Sequence, residues 1–270
     1  MPIINKMLVI RPDYIDYDIN KDGTLDFSVT RLISAWASLS LSTARNYGIE
    51  YRDLYKNNAT RSNFEAQLNQ FDPLFVFING HGNKNLIVCQ DGDLLLQGGL
   101  NTNILSRRVV YDLSCLAGAQ LGPTAISEGC ICFMGYTEEF IFYSSDLPPL
   151  ADNVLRYFMD PVLTCVMSFL AGNSTSVSYT YAQERFDYWI EVLANSTDRD
   201  APAHISTLLW DKDHHVLYGD GSATITGEIA PVVPIPPQPP TLATPPFPLK
   251  YVLVPLALMI GIPLLKKAKK

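Results

Sequence analysis

A chain of 270 residues that is 47% hydrophobic and only 17% charged can bury one sizeable core, and reads as an ordinary globular body carrying an unusual tail. The formal charge is −7, but Lys250, Lys266, Lys267, Lys269 and Lys270 all lie in the last 21 residues without an acid, so residues 1–249 carry −12. A body this acidic argues against a nucleic-acid backbone as partner. Cys130 and Cys132 stand two apart on one strand pattern and are poorly placed to bond each other, so the five cysteines suggest no disulfide framework.

Met7 to Ile10 reads as a first strand. Leu32, Ile33, Trp36 and Leu39 recur at helical spacing, and Ile49 to Leu54 forms a second strand. Phe64, Leu68 and Phe71 mark a second helix, opened by a Ser62-x-x-Glu65 capping box. The run Leu74-Phe75-Val76-Phe77-Ile78 closes on His81-Gly82-Asn83. Leu86 to Cys89 and Leu94 to Leu96 then flank Gln90-Asp91-Gly92-Asp93, an Asp-Gly signal for a small antiparallel flap beside the histidine. Val109 to Leu113 is a strand ending at Ser114-Cys115. It is followed by a helix over Ala117 to Ser127 and a strand from Cys130 to Met134. Helical periods occupy 150–170 and 177–193, and Val216 to Ile225 forms a last strand and turn.

Strands alternating with helices predict an α/β fold with a mainly parallel sheet and right-handed crossovers. Apolar runs of about five residues bounded by turns read as central strands of such a sheet. Its ligands sit beyond the carboxyl ends of the strands. An imidazole and a thiol at the ends of two such strands would share one edge, as a cysteine nucleophile requires. A thiol of ordinary pKa is mostly protonated at neutral pH. A neighbouring imidazole and the start of the helix at Ala117 would both favour its thiolate. Against this stands the plainer reading, in which His81-Gly82 is a strand-end turn and Cys115 a buried small hydrophobe.

The strand ending Ile78-Asn79-Gly80-His81-Gly82-Asn83, paired with one ending Tyr111-Asp112-Leu113-Ser114-Cys115-Leu116-Ala117-Gly118, resembles the caspase-fold cysteine peptidases, and most closely their gingipain-like branch. Gly129 to Tyr136 is similar to that branch's strand after the catalytic helix. Leu217-Tyr218-Gly219-Asp220-Gly221 is similar to its closing Gly-Asp-Pro turn, with Gly221 in place of proline. The resemblance implies a three-layer α/β/α fold over residues 1–229. It also implies Cys115 as nucleophile, His81 as general base, and the amides of Gly82 and Cys115 as oxyanion hole. Gingipain-like enzymes often prefer a basic residue before the scissile bond; Glu138, Glu139 and Asp146 could receive one, or form a solvated acidic loop. The implied partner is a peptide or protein substrate, and the chemistry needs no cofactor.

A second candidate site is Asp18, Asn20, Asp22, Thr24 and Asp26, which follows the first half of a calcium loop. Val29 stands where the bidentate glutamate belongs, so the alternative is an Asp-Gly turn. Asp211-Lys212-Asp213-His214-His215 offers metal donors without a third spaced ligand and reads as a polar turn.

Nine prolines in residues 230–249 predict a polyproline-like linker, able to reach roughly 60 Å. Tyr251 to Leu265 is uncharged and precedes the lysine cluster, which predicts a membrane tail over 250–270, with transmembrane character helped by snorkelling lysines. That orientation would place the body outside the cytoplasm, although Met7 to Ile10 is too short for a signal-peptide core. The expected protein is thus a membrane-tethered cysteine endopeptidase. The alternatives are a non-catalytic caspase-fold binding module and a calcium-dependent surface interaction domain.

Overall fold

The computed structural model of the chain describes residues 6–17, 27–226 and 252–255. The first half runs β1 (Lys6–Arg11), α1 (Val29–Ala37), α2 (Leu39–Asn46), β2 (Glu50–Tyr55), α3 (Arg61–Gln70), β3 (Phe75–Asn79), β4 (His81–Asn83), β5 (Leu86–Val88) and β6 (Leu94–Gln97). The second runs β7 (Val109–Leu113), α4 (Leu121–Ser127), β8 (Cys132–Tyr136), β9 (Ile141–Ser144), α5 (Asn153–Leu170), α6 (Thr175–Ala194), α7 (Ala201–His214), β10 (His215–Gly219) and β11 (Val252–Pro255).

Six strands build the central sheet in the order β10-β8-β7-β3-β1-β2, parallel except for β10 at one edge. β3 and β7 are buried at every residue because helices cover both faces, which is why their sequences are continuous apolar runs. Successive side chains alternate between the faces. Met7, Val9, Phe75, Phe77, Tyr111 and Met134 meet α1, α5 and α6 on one face, through Ile33, Phe158, Val166 and Phe186. Leu8, Ile10, Val76, Ile78, Val110 and Phe133 meet α3 and α4 on the other, through Phe64, Leu68, Leu121 and Ala125. The layers are therefore the α/β/α arrangement expected from the sequence. The chain crosses from β1 to β2 over the first face and from β2 to β3 over the second. The crossovers thus diverge between β1 and β3, where an open parallel sheet forms its crevice.

Several local readings change. The helix after Cys115 begins at Leu121, not Ala117. Pro123 explains the delay: it fits the first turn, but in a helix begun at Ala117 its ring would meet the carbonyl four residues back. Thr60, not Ser62, caps α3 by accepting from the Asn63 amide, while Glu65 pairs with Arg61. The 211–215 segment is no polar turn but the junction of α7 and β10, with Asp211 and His215 in the core.

β11 pairs antiparallel with β9, Val252 opposite Ser144 and Pro255 opposite Ile141. Four residues of the apolar tail are therefore extended, and among the described residues no helix is long and apolar enough to cross a membrane. The rest of the tail, the 230–249 linker and the calcium-like residues Asp18, Asn20, Asp22, Thr24 and Asp26 lie outside the described residues.

Candidate active site at the carboxyl ends of β1, β3 and β7

Asp16 follows β1 and reaches the first turn of α1. Its Oδ1 accepts from the Val29 amide at 2.6 Å and its Oδ2 from the Thr30 amide at 3.0 Å. These are two of the amides a helix start leaves unpaired, and the positive end of the helix favours a carboxylate there. The same Oδ2 lies 3.1 Å from Nε2 of His81, and the two side chains are only 2% and 3% exposed. With the Nε2 proton assigned to this contact, Nδ1 is the basic nitrogen of the ring. The Tyr14 ring stands edge-on to the imidazole at 6.4 Å between centroids.

His81 opens β4, the first strand of the flap. Its neighbour Gly82 lies against the end of β7: a Cβ built on Gly82 would fall 2.9 Å from both the Cys115 carbonyl oxygen and the Ser114 Cβ. No side chain fits between these backbones. The backbones of the imidazole-bearing and thiol-bearing segments thus touch at one sheet edge.

Cys115 has no solvent exposure and belongs to the core on the α5–α6 face. Its sulfur accepts from the Phe140 amide at 3.3 Å. Burial pushes the thiol well above its ordinary range. The Phe140 N–H opposes that rise, while Glu139, Asp211 and Asp112 add to it. The expected support from a helix start is absent, since α4 begins six residues later. Leu116 instead takes a left-handed φ of 63°, its amide donating to the Glu138 carbonyl at 3.0 Å, and Gly118 donates to the Tyr136 carbonyl at 2.8 Å. The loop is held by backbone bonds to the 136–138 segment. Among the described residues the Cys115 amide donates to no backbone carbonyl.

Glu138 and Glu139 are half-buried beside this loop, and Glu139 is near enough to Cys115 to disfavour its thiolate. Asp146 is exposed in a bend past the opposite end of β9, away from Glu138 and Glu139. Among the described residues no group of three or more His, Cys, Asp or Glu side chains is placed to hold a metal.

No family model and no curated protein matches the sequence. Solved structures do match. A crystal structure of the Arg-specific cysteine proteinase gingipain R superposes with a TM-score of 0.52 at 12% identity, over 82% of this chain and 47% of that one. The fold is that of gingipain R. A complex of the Porphyromonas gingivalis RgpB pro- and mature domains agrees, with a TM-score of 0.50 at 10% identity over 81% of this chain and 48% of that one. This chain therefore spans under half the length of either gingipain chain. The similarity establishes the caspase-like gingipain fold that the strand-end motifs pointed to.

Sequence reading named Glu138 and Glu139 but missed Asp16 and the Phe140 amide that donates to the Cys115 sulfur. Asp16 is one of four aspartates between residues 16 and 26. What distinguishes it is its position between the end of β1 and the start of α1, and that depends on a helix start the sequence did not fix.

Proposed function

We propose that the protein is a cysteine endopeptidase, with Cys115 as nucleophile, His81 as general base and acid, and Asp16 as the carboxylate that orients His81. The observation that carries this reading is the packing of the Gly82 backbone against Cys115 while the adjacent imidazole is anchored through Nε2. The thiol proton passes to Nδ1 of His81, and the sulfur adds to the scissile carbonyl. The amine then leaves with the proton from His81. Water, deprotonated by the same imidazole, cleaves the thioester and restores the thiol. The amides of Gly82 and Cys115 are assigned to the oxyanion of the tetrahedral intermediates. Because Cys115 is fully covered, turnover requires the flap or the Phe140 segment to shift and admit the peptide.

For specificity we assign Glu139, with Glu138, to a basic side chain before the cut; the preference of gingipain R for arginine supports that assignment. We place the protein at a membrane surface on the strength of the apolar run and the lysines that follow it; the extracytoplasmic body expected for a spanning tail does not follow from an interfacial one. With Val252–Pro255 extended, the uncharged stretch left at 256–265 is ten residues, about half of a spanning helix. Interfacial association is therefore the form this contact would take. A second reading, a non-catalytic module of the same fold, is favoured by one observation, the burial of Cys115 as a neutral thiol.

Mass-spectrometric cleavage profiling of the full chain beside Cys115→Ala, with calcium and with a chelator, decides between them. Cleavage by the parent and none by the variant supports the peptidase, and the residue before the cut tests the acidic assignment. A silent parent in both conditions leaves the binding module. Chelation that abolishes partner binding without hydrolysis would indicate the calcium-dependent interaction domain.

A further inference from the structure

Residues 137–141 pass between α7 and the loop that carries Cys115, bending at Thr137 and Glu138 before the chain enters β9 at Ile141, and their polar contacts alternate between the two. On the α7 side, the Thr137 amide donates to the His214 carbonyl at 2.9 Å, and Trp210 Nε1 donates to the Glu139 carbonyl at 2.9 Å. The Ile141 amide donates to Asp211 Oδ1 at 3.0 Å. On the nucleophile side, the Glu138 carbonyl accepts from Leu116 at 3.0 Å and the Phe140 amide donates to the Cys115 sulfur at 3.3 Å. Where the chain enters β9 successive residues face opposite ways, so fixing the Ile141 amide on the α7 side also aims the adjacent Phe140 amide toward the sulfur.

We propose that Asp211 is a positioning residue for Cys115: by holding the Ile141 amide, it fixes the neighbouring Phe140 amide as a hydrogen-bond donor to the sulfur. The name of the nucleophile rests on the peptidase reading; the clamp itself rests on the contacts above. An N–H aimed at sulfur stabilises the thiolate more than the thiol, so it helps the charged form in a site whose burial opposes it.

Asp211 is a costly residue to keep where it is. It is fully buried on α7, and among the described residues its Oδ2 has no hydrogen-bond partner. Burial holds its carboxyl well above the usual carboxylate range, with the Ile141 amide acting against the rise. An ionised Asp211 would oppose the Cys115 thiolate; as a neutral acid it supplies an acceptor without that penalty. Glu139 and Asp112 also act on the Cys115 charge, and neither accepts from the Ile141 amide; His81, the base of the proposed dyad, is unchanged in every variant below.

The test is the pH dependence of Cys115 alkylation by iodoacetamide in the full chain, located by peptide mapping. The midpoint reads the thiolate and the plateau reads access, so opening of the site does not confound the result. Asp211→Leu keeps the volume and removes the acceptor. Its midpoint is expected to rise by about one unit, which is about tenfold slower alkylation below both midpoints. Asp211→Asn retains a carbonyl oxygen and is expected to stay close to the parent. A folded Leu variant with an unchanged or lowered midpoint overturns the proposal, as does an Asn variant shifted as far as Leu. If Asp211→Leu does not fold, Trp210→Phe removes the neighbouring bond from a partly exposed position. A smaller rise is then expected, and no rise overturns the proposal. Because alkylation does not depend on peptide cleavage, a shifted midpoint in a protein that cleaves nothing would sink the peptidase and leave the clamp. Cleavage with an unshifted midpoint would do the reverse.

Discussion

His81 Nε2 and Asp16 Oδ2 stand 3.1 Å apart, each side chain almost wholly out of solvent, and the same carboxylate caps α1 through the Val29 and Thr30 amides. One residue thus ties the imidazole to the helix that covers the sheet. Asp16→Asn should keep much of the packing while offering the ring an amide in place of a carboxylate, which can select the wrong tautomer. By comparison with triad carboxylates, kcat should fall by about 10²–10⁴-fold. Weaker capping should remove about 1 kcal/mol of stability. A variant with parental kcat on a cleaved peptide would refute the orienting role.

Gly82→Ala should fail for a backbone reason. The added Cβ would meet the Cys115 carbonyl oxygen and the Ser114 Cβ at 2.9 Å and the Leu86 carbonyl oxygen at 3.2 Å. None of these can swing away like a side-chain end, so a loss of about 1–3 kcal/mol is expected together with loss of peptide cleavage. Gly92→Ala is the control. Its φ of 77° is unfavourable for alanine, but nothing lies within 4 Å. It should cost about 1 kcal/mol and leave the site intact. Chemical denaturation and cleavage assays of the pair would expose an error if the two behaved alike.

The fold was legible where the sequence repeats with a clear period. β3 and β7 announce themselves because burial on both faces removes polar residues from FVFIN and VVYDL, apart from the strand-end Asn79 and the buried Asp112. The positions of the two candidate residues were legible for the same reason, since His81 and Cys115 sit where those runs stop. What the sequence did not show are contacts made by elements with weak patterns. α7 mixes polar and apolar residues around its whole surface, so neither it nor the role of Asp211 could be anticipated. Asp16 depends on where α1 begins. The start of α4 depends on Pro123, which fits a first turn and would break an interior one.

Buried groups on the two faces of the sheet should give the protein opposing pH slopes. Burial depresses His215 from 6.5 to about 3, amid the stacked rings of Tyr136 and Tyr179. The unfolded chain therefore binds a proton that the folded one refuses. The contribution of His215 is full above pH 6.5 and is lost on acidification at about 1.4 kcal/mol per unit. Burial raises Asp112 well above 3.8, so its contribution is present below that value and is lost as pH rises toward the folded pKa. Between pH 4 and 6, stability should rise with pH less steeply in His215→Phe than in the parent. In Asp112→Asn it should rise more steeply than in the parent. Urea titrations at intervals across that range would contradict both assignments if the slopes matched the parent's.

The pairing of β11 with β9 gives the far end of the chain a place on the body, and the backbone of β9 says which amides are involved. The Ile141 amide is taken by Asp211, so alternation turns the amides of Phe142 and Ser144 to the other side, where β11 lies. The Phe140 amide faces that side as well and ends on the Cys115 sulfur. The β11 edge is therefore continuous with the nucleophile, and a strand laid on it points its carboxyl end toward the thiol. Proline at Val254, opposite Phe142, removes a ladder donor and should release the strand. The expected result in the full chain is faster amide hydrogen exchange at Phe142 and Ser144, with the core strand β7 unchanged. Exchange at those two amides that does not respond to Val254→Pro would show that β9 carries no such partner. Released protection accompanied by faster Cys115 alkylation would show that the segment also covers the thiol, because the two positions share one edge.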